Sequence, residues 1–428
     1  MYDFANQPFT TLIVTFIYGT FFTKVIAENE IVGTLLWSRG ITITAIIVAL
    51  LSPIMGAIAD RGGYRKLYLI FWTWVSIIGA VLLWYPVEGQ VVFALTAFII
   101  GNVGFEMGGV FCNAFLMDIA PKEKIGRVSG YGWSFGYVGG LIALTIGYFC
   151  FVNPEIPIFN LDKISYEHIR GTNIMVAVWF AIFSIPTFLF VHQKRHQRRS
   201  NKHLFRDSFN QMKDTFRNIR KYKDMTKFLV ARIFYNDGLI TVFAFGGIYA
   251  AGTFGFSFKE VFMFGIVLNV MAGLGAFLLG FLDDMIGGKR TIQISNYGLI
   301  IACLLAVLSP NSDLFNLSMP FVGNIVITGR AIFWLAGILI GIFSGPNQSA
   351  SRSLMARFIP KNKENEFFGF FAFSGKATAF MGPFLLGYLT QAFDSQRYGV
   401  AVVLIFLAVG SLLLRFVDEE AGIDVANA

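Results

Sequence analysis

The sequence predicts an all-α membrane protein of about twelve transmembrane helices, built as two six-helix halves related by pseudo-two-fold symmetry. Three observations lead to this fold class: a low content of charge, repeated apolar runs of membrane-spanning length, and a Gly/Asp motif that occurs twice at one separation. Of the 428 residues, 55% are hydrophobic and 14% charged, against about 25% charged in an average soluble domain. Lipid is therefore the expected solvent for most of the chain.

Apolar runs of about 20 residues, the length that crosses a hydrocarbon core of about 30 Å, recur along almost the whole sequence. Backbone groups in lipid must be paired within their own segment, and the alternating strands of a lipid barrel are missing from the pattern, so we expect helices. We place the spans at 3–27, 36–59, 67–86, 91–117, 129–151, 172–192, 226–251, 259–282, 291–309, 330–352, 367–393 and 397–417.

Lys and Arg divide the connecting loops into two sets. The loops after spans two, four, eight and ten carry basic clusters, whereas the opposite loops carry mostly Glu and Asp. The positive-inside rule places the basic loops and both termini in the cytoplasm. We therefore expect a multi-pass protein of the cell (inner) membrane. The first apolar span begins almost at Met1 and is long enough to stay in the membrane, so no separate signal peptide is expected.

A basic segment separates spans six and seven. Residues 193–227 contain twelve Lys or Arg and three Asp. We predict an N-terminal half at 1–192, a basic cytoplasmic linker at 193–225, a C-terminal half at 226–417 and a cytoplasmic tail at 418–428. Apolar residues at helical spacing in the linker predict an amphipathic helix on the inner leaflet, with a regulatory or partner-binding helix as the alternative. These residues are Phe205, Phe209, Met212, Phe216 and Ile219.

Several other classes of protein fit the sequence poorly. The net charge of +8 lies mostly in one loop between apolar spans, which favours membrane topology over nucleic-acid binding. Residues 132–136 match the Gly-x-Ser-x-Gly nucleophile elbow, but the strand and turn that this motif requires are missing. There is no Walker-type phosphate loop, and the three cysteines lack metal-ligand spacing. We expect no enzyme activity, no cofactor and no metal site.

The sequence contains an internal repeat. The motif that ends span two recurs at the end of span eight with an offset of 224 residues, and a second set of residues repeats with an offset of 239. Parallel six-span repeats are a transporter architecture with the substrate site between the halves. The first set is Gly56, Asp60, Gly63 and Lys66 against Gly280, Asp284, Gly287 and Arg290; the second is Pro121, Gly130 and Gly136 against Pro360, Gly369 and Gly375.

The chemistry of the repeated motif predicts a gate. Glycines let helix ends approach closely, and the Asp can pair with basic residues or cap a neighbouring helix across the cytoplasmic mouth. Such a network can act as a latch that favours one access state. The predicted gating residues are Gly56, Asp60, Gly63, Arg65, Lys66, Gly280, Asp284, Gly287, Lys289 and Arg290.

The segment from Gly56 to Lys66 resembles the loop signature of the major facilitator superfamily. The segments 2–6, 235–238 and 345–353 look like the autophagy-related vacuolar amino-acid effluxer family and its bacterial relatives, and 366–369, 374–376 and 382–383 extend this match. The resemblance implies a secondary active transporter in which spans one, four, seven and ten line a central cavity. It also implies amino acids as the substrate class.

Three ionisable residues lie at membrane depth, where a charge costs at least about 2.5 kcal/mol. They are Glu106 in span four, Asp237 in span seven and Lys376 in span eleven. The resemblance implies that Glu106 and Asp237 face the cavity from opposite halves, where a desolvated carboxylate could load and release a proton.

Each of these three residues has a structural alternative. Glu106 could form a fixed salt bridge or hydrogen bond between helices. Asp237 could bind backbone at a local break in span seven, which Asn236 and Gly238 beside it suggest. Lys376 is either the counter-ion of one of these carboxylates or the ligand of an anionic substrate group.

Other polar residues are candidates of the same kind. Interhelical hydrogen bonding and substrate binding are both open for the amides of spans four and ten. Asp3, just before Pro8, fits a helix cap, and Arg232 near the start of span seven could snorkel to the cytoplasmic surface. The amides are Asn102, Asn113, Asn347 and Gln348.

The functional hypothesis is a monomeric secondary transporter that moves a small solute by alternating access, coupled to protons. An exported small polar or zwitterionic compound, such as an amino acid, is the expected cargo. The expected partners are this substrate, protons and the lipid bilayer, without nucleic acid. Two alternatives stay open: a non-transporting receptor or assembly protein on a transporter fold, and a lipid or amphiphile translocator, which the aromatic content of 16% would suit.

Overall fold

The computed structural model describes residues 1–193, 204–217, 219–310, 313–319 and 323–427. Six long helices follow one another before the linker, and α1 is wound in π-helical turns at Phe9–Phe16 and Phe22–Ile26. The six helices are α1 (Tyr2–Ile26), α2 (Glu30–Gly62), α3 (Arg65–Leu82), α4 (Val91–Ile119), α5 (Lys122–Val152) and α6 (Glu167–Phe190).

The remainder of the chain contains nine further helices and one hairpin within the described ranges. A 3₁₀ turn at Ile219–Tyr222 leads into α8. The elements are α7 (Leu204–Arg217), α8 (Lys223–Phe254), α9 (Phe258–Ile286), α10 (Gly288–Leu308), β1 (Asp313–Met319), β2 (Gly323–Thr328), α11 (Gly329–Phe358), α12 (Glu364–Lys376), α13 (Met381–Ala392), α14 (Gln396–Arg415) and α15 (Glu419–Asn427).

Eleven helices of the described chain are long and apolar enough to cross a membrane. They correspond to predicted spans one to ten and twelve. Predicted span eleven is divided between α12 and α13, each of which is shorter than a full span. The predicted fold class is confirmed. The antiparallel pair β1–β2 occupies the long loop after span nine and is the one addition to the all-helical pattern among the described residues.

The interrupted helix lies elsewhere than the sequence suggested. A local break was expected in span seven near Asn236, but α8 is continuous through this position. The interruption is at residues 377–380, just before Pro383, which lacks a backbone N–H and favours the first turn of a new helix. Prolines inside α2, α6 and α11 leave those helices continuous. At the interruption, Asn236 of α8 donates to the Gly375 carbonyl (3.3 Å), so this carbonyl near the end of α12 has a hydrogen-bond partner.

Two hydrophobic cores lie on either side of a shared interface. One is formed by α1–α6, and the other by α8–α12 and α14 together with the end of α4 and the start of α5. Across the interface α2 packs along α12, and α5 packs along α9 and α11. The division of the chain at 192/193 and 225/226 stays a prediction.

The linker helix α7 covers part of the end of the bundle that carries Asp60 and Asp284, which we call the motif end. It packs against α2, with Arg61 and Asp207 3.8 Å apart. From the other half, Lys363 donates to Thr215 (3.1 Å). The side chains of the predicted apolar face lie outside the described set, and so do residues 194–203. The placement of this face on a lipid leaflet stays a prediction.

Candidate functional site

The Asp60 carboxylate caps a helix of the opposite half. It accepts the backbone N–H groups of Asn365 (3.0 Å) and Glu366 (2.8 Å), the second and third residues of α12, and the Asn365 side-chain amide (2.6 Å). These are the unpaired donors that an N-cap side chain usually satisfies, at the positive end of the helix dipole. A residue of α2 therefore supplies the cap of α12.

The Asp284 carboxylate makes the equivalent contact in the reverse direction. It accepts the backbone N–H groups of Gly126 (2.7 Å) and Arg127 (3.2 Å), at the start of α5, and the Arg127 guanidinium (2.6 Å). The two capped helix starts are related by the offset of 239 residues, and the two aspartates by that of 224. The internal repeat is therefore expressed as two reciprocal caps that join the halves at the motif end.

Glycines make this approach possible. A Cβ atom at Gly56 would overlap the carbonyl of Asn365, and one at Gly280 would lie 3.2 Å from the Arg127 Cα. Gly63 and Gly287 have φ angles of 65° and 89°, in the region that favours glycine at a helix end. All four glycines of the repeated motif thus serve backbone geometry.

The basic residues of the two motif copies have different partners. Arg65 is buried and pairs with Asp118 (2.7 Å) and with Glu364 of the other half (2.9 Å). Lys66 donates to the Val191 carbonyl (3.0 Å). In the second copy, Lys289 donates to the Arg415 carbonyl (3.1 Å) and Arg290 is exposed.

A group that the sequence analysis missed takes the place of the buried arginine in the second copy. Arg357 of α11 pairs with Asp283 (2.6 Å) and lies 3.6 Å from Asp284. Ser353 also donates to Asp283. Asp283 directly precedes a motif residue, and its acidic side chain in the last turn of a membrane helix was the available signal. Each copy of the repeat therefore keeps its cap and is supported by an arginine that pairs with carboxylates.

Glu106 and Lys376 meet across the interface. The Lys376 Nζ lies 2.6 Å from the Glu106 Oε1, and both side chains are about one-quarter exposed, at 27% and 23%. Glu106 belongs to α4 and Lys376 is the last residue of α12. The sequence left open whether Glu106 and Lys376 bind a proton or substrate or pair with another side chain. The structure shows that they pair with each other. This ion pair joins the halves near the break in span eleven.

Asp237 does not join this pair. Its side chain is 1% exposed and lies beside Thr378 in the break between α12 and α13. Within the described chain, neither carboxylate oxygen makes a hydrogen bond of normal geometry. The opposed placement of Glu106 and Asp237 in one cavity therefore remains a prediction, because the structure gives them different surroundings.

Arg352 of α11 forms a further polar contact between the halves. It binds Asp3 (3.0 Å), Asn113 (3.3 Å) and the carbonyl and hydroxyl of Ser129 (2.6 and 2.9 Å). Asp3 therefore pairs with a cation instead of capping its own helix, for which no side-chain cap is formed. The earlier interpretation of Asp3 is wrong, because its helix starts one residue before it.

The remaining candidate amides are distributed over different contacts. Asn347 donates to Asn296 of α10 (2.7 Å) and is buried within one half. Gln348 donates to the Tyr137 hydroxyl of α5 (3.1 Å) and so spans the interface. Asn102 is buried in α4. Arg232 donates to the Phe371 carbonyl (2.7 Å) and Ser374 hydroxyl (2.8 Å), so it is held by α12 instead of snorkelling.

Twelve spans in two halves, reciprocal caps at one end and ion pairs across the interface define a transporter of the major facilitator superfamily. Solved structures share the fold. The fucose transporter FucP in its outward conformation has a TM-score of 0.71 at 14% identity, with 97% of each chain covered. The proton:xylose symporter XylE has a TM-score of 0.69 at 13% identity, with 97% of this chain and 94% of that chain covered.

The chain belongs to the family described as "Vacuole effluxer Atg22 like", which matches residues 35–427. It is 26% identical to the uncharacterized MFS-type transporter YxiO of Bacillus subtilis over 100% of this chain and 95% of that protein. It is 22% identical to Autophagy-related protein 22 of Kluyveromyces lactis, over 84% of this chain and 74% of that protein. The predicted family is confirmed.

Proposed function

We propose that the protein is a proton-coupled secondary transporter that exports a small polar or zwitterionic solute, with amino acids as the first candidates. The observation that carries this proposal is the Glu106–Lys376 ion pair, which joins the two halves at 2.6 Å within the membrane. The description of the family as effluxers supports the direction. The halves at 1–192 and 226–417 are the proposed moving units.

The ion pair can couple a proton to the movement of the halves. A proton on Glu106 removes the attraction to Lys376, so the contact between α4 and α12 weakens when the carboxylate is neutral. Partial exposure gives the carboxylate access to water in this state. The pair is thus a contact that holds when Glu106 is charged and releases when it is protonated.

The motif end supplies the gate. We infer that it faces the cytoplasm, together with both termini and the 193–225 linker, because its loops are the basic ones. In this orientation in the cell membrane, the structure is closed toward the cytoplasm by the Asp60 and Asp284 caps. Opening on this side requires both caps to separate, together with the contacts of Arg352.

The test is transport in proteoliposomes with an imposed pH gradient and a panel of amino acids and other small zwitterions. We expect gradient-driven flux in the parent protein. Glu106→Gln should lose the gradient dependence, by about tenfold or more in rate, while solute exchange without a gradient persists. Glu155→Gln, an exposed loop glutamate, is the matched control and should behave as the parent.

Two results would contradict the proposal. Parent protein that moves none of the solutes under any gradient would count against proton-coupled export. Unchanged gradient dependence in Glu106→Gln would remove this carboxylate from the coupling step. Lys376→Gln provides an independent check, because it removes the same ion pair from the other side.

A further inference from the structure

The break in span eleven places the Thr378 hydroxyl beside the Asp237 carboxylate, which forms no ion pair among the described contacts. Both Asp237 oxygens and the Thr378 hydroxyl are buried, and within the described ranges none has a hydrogen-bond partner of normal geometry. The pair lies where α8 passes the gap between α12 and α13. A buried carboxylate without partners of good geometry is unfavourable, so a bound cation would stabilise this site.

Two cationic side chains close to the break bind other groups. Arg232 is turned toward α12, where it binds the Phe371 carbonyl and Ser374 hydroxyl, and its guanidinium lies 3.6 Å from the centre of the Phe371 ring. Lys376 is bound to Glu106 (2.6 Å). Neither forms an ion pair with Asp237 among the described contacts. Arg232 therefore acts on the Asp237 charge only from a distance, and a cation in direct contact with this carboxylate would have to come from solution.

The surroundings of Asp237 offer further oxygen ligands. Asn236 uses its amide nitrogen on the Gly375 carbonyl (3.3 Å), which leaves its side-chain oxygen available. Within the break, the Thr378 and Phe380 carbonyls accept the N–H groups of Met381 (2.7 Å) and Phe384 (3.1 Å). The Ala377 and Ala379 carbonyls have no such partner among the described contacts, and unpaired carbonyls of interrupted helices coordinate Na⁺ in other transporter architectures. Close packing makes the site compact: a Cβ at Gly382 would lie 3.2 Å from the Asp237 carbonyl oxygen.

We propose that Asp237, the Thr378 hydroxyl and the carbonyls of Ala377 and Ala379 form a binding site for a monovalent metal cation, with Na⁺ as the test ion. One carboxylate matches one positive charge, and hydroxyl and carbonyl oxygens are the ligands that a hard cation prefers. The site is separate from the proton step proposed at Glu106. A cation bound here would link α8 to both parts of span eleven.

The experiment measures the thermal stability of the full-length protein in detergent while Na⁺ replaces choline at a constant ionic strength of about 0.1 M. A ligand that binds only the folded state raises Tm in a saturable manner. We expect this rise in the parent protein and its loss in Asp237→Asn. Thr378→Val should shift half-saturation to at least about tenfold higher Na⁺.

Matched controls separate the site from general effects of substitution. Asp394→Asn changes an exposed loop carboxylate, and Thr145→Val removes an exposed hydroxyl that bonds its own helix; both should keep the parent response. Binding of radioactive Na⁺ to the same variants gives a second readout. If Asp237→Asn does not fold, Thr378→Val alone decides.

Three outcomes overturn the proposal: no Na⁺ response in the parent, a full response in Asp237→Asn, or unchanged half-saturation in Thr378→Val. A Tm that rises only on acidification, and only while Asp237 is present, would assign the carboxylate to a proton and also exclude the metal. None of these readouts requires transport. The result is therefore independent of whether Glu106 couples solute movement to protons.

Discussion

Single residues in this protein take their partners from distant parts of the chain. Lys376 binds Glu106, 270 residues earlier, and Arg352 binds Asp3 and Asn113, 349 and 239 residues earlier. Charges within a membrane span are unfavourable unless paired. Each of these pairs therefore holds one half against the other.

Glu419 provides a residue-level test at the motif end. It accepts the backbone N–H groups of Gly288 and Lys289 (2.9 Å each), so the tail helix α15 caps α10. Glu419→Gln should lower the free energy of unfolding by about 1 kcal/mol, because it removes a charged acceptor from the positive end of a helix. Thermal unfolding checks this loss.

The neighbouring Glu420 is the control for this prediction. It is exposed on the same helix. Glu420→Gln therefore makes the same change of side chain but leaves the contacts of Glu419 in place. An equal loss of stability in the two variants would contradict the assigned role of Glu419.

At the scale of elements, helix contact in the interface depends on small residues and on one interruption. α2 approaches α12 at Gly56, and α5 approaches α9 at Gly130 and Gly280. In membranes, small residues permit this close backbone contact, which provides much of the helix association energy. The break between α12 and α13 places Lys376 at a helix end beside α4.

Gly56→Ala should destabilise the contact of α2 with α12. The added methyl group would overlap the Asn365 carbonyl, and overpacking of this kind typically costs about 1–3 kcal/mol. Gly246→Ala is the matched control, because a Cβ there meets nothing within 4 Å. The control should be neutral or stabilising, since Ala favours a helix over Gly by about 1 kcal/mol.

The two glycine variants are compared by thermal unfolding under identical conditions. A lower Tm for Gly56→Ala alone supports the tight contact. A Tm equal to that of the parent in Gly56→Ala would show that the two helices can separate there without loss.

At the scale of the whole molecule, the closed motif end rests on two contacts of the same design. Asp60 reaches from the first half to the second, and Asp284 reaches from the second to the first. Because the two caps lie in separate places and act between the same bodies, their contributions to closure should add. Loss of both should favour the open motif end.

Electron paramagnetic resonance distances test this expectation. Spin labels at Lys124→Cys and Met285→Cys, both exposed at the motif end, report the separation of the halves once Cys112, Cys150 and Cys303 are replaced. Asp60→Asn and Asp284→Asn should each increase the long-distance population about fivefold or more, and the double variant should increase it further. Asp394→Asn is the control.

A distance distribution that is unchanged in the double variant would contradict the gating role of both aspartates. A full effect from one single variant, with none from the other, would show that the repeat is symmetric in sequence and asymmetric in function.

The sequence by itself determined the membrane spans, the duplication and the family. These depend on local composition and on motif spacing, because a helix in lipid must pair its own backbone groups and an inherited repeat keeps its intervals. It also identified Glu106, Asp237 and Lys376 as candidates from their depth in apolar spans. Such features can be read without knowing how the helices pack.

Only the tertiary structure decided which groups meet. It shows that Lys376 pairs with Glu106 and that Asp3 pairs with Arg352. It also shows that the helix break lies in span eleven and not in span seven, and that Asp237 has no hydrogen bond of normal geometry in the described chain. These contacts join residues far apart in sequence, through helix rotations and crossings that depend on the packing of all twelve spans. The partner of a buried charge is set by this packing, so the charge alone could not reveal it.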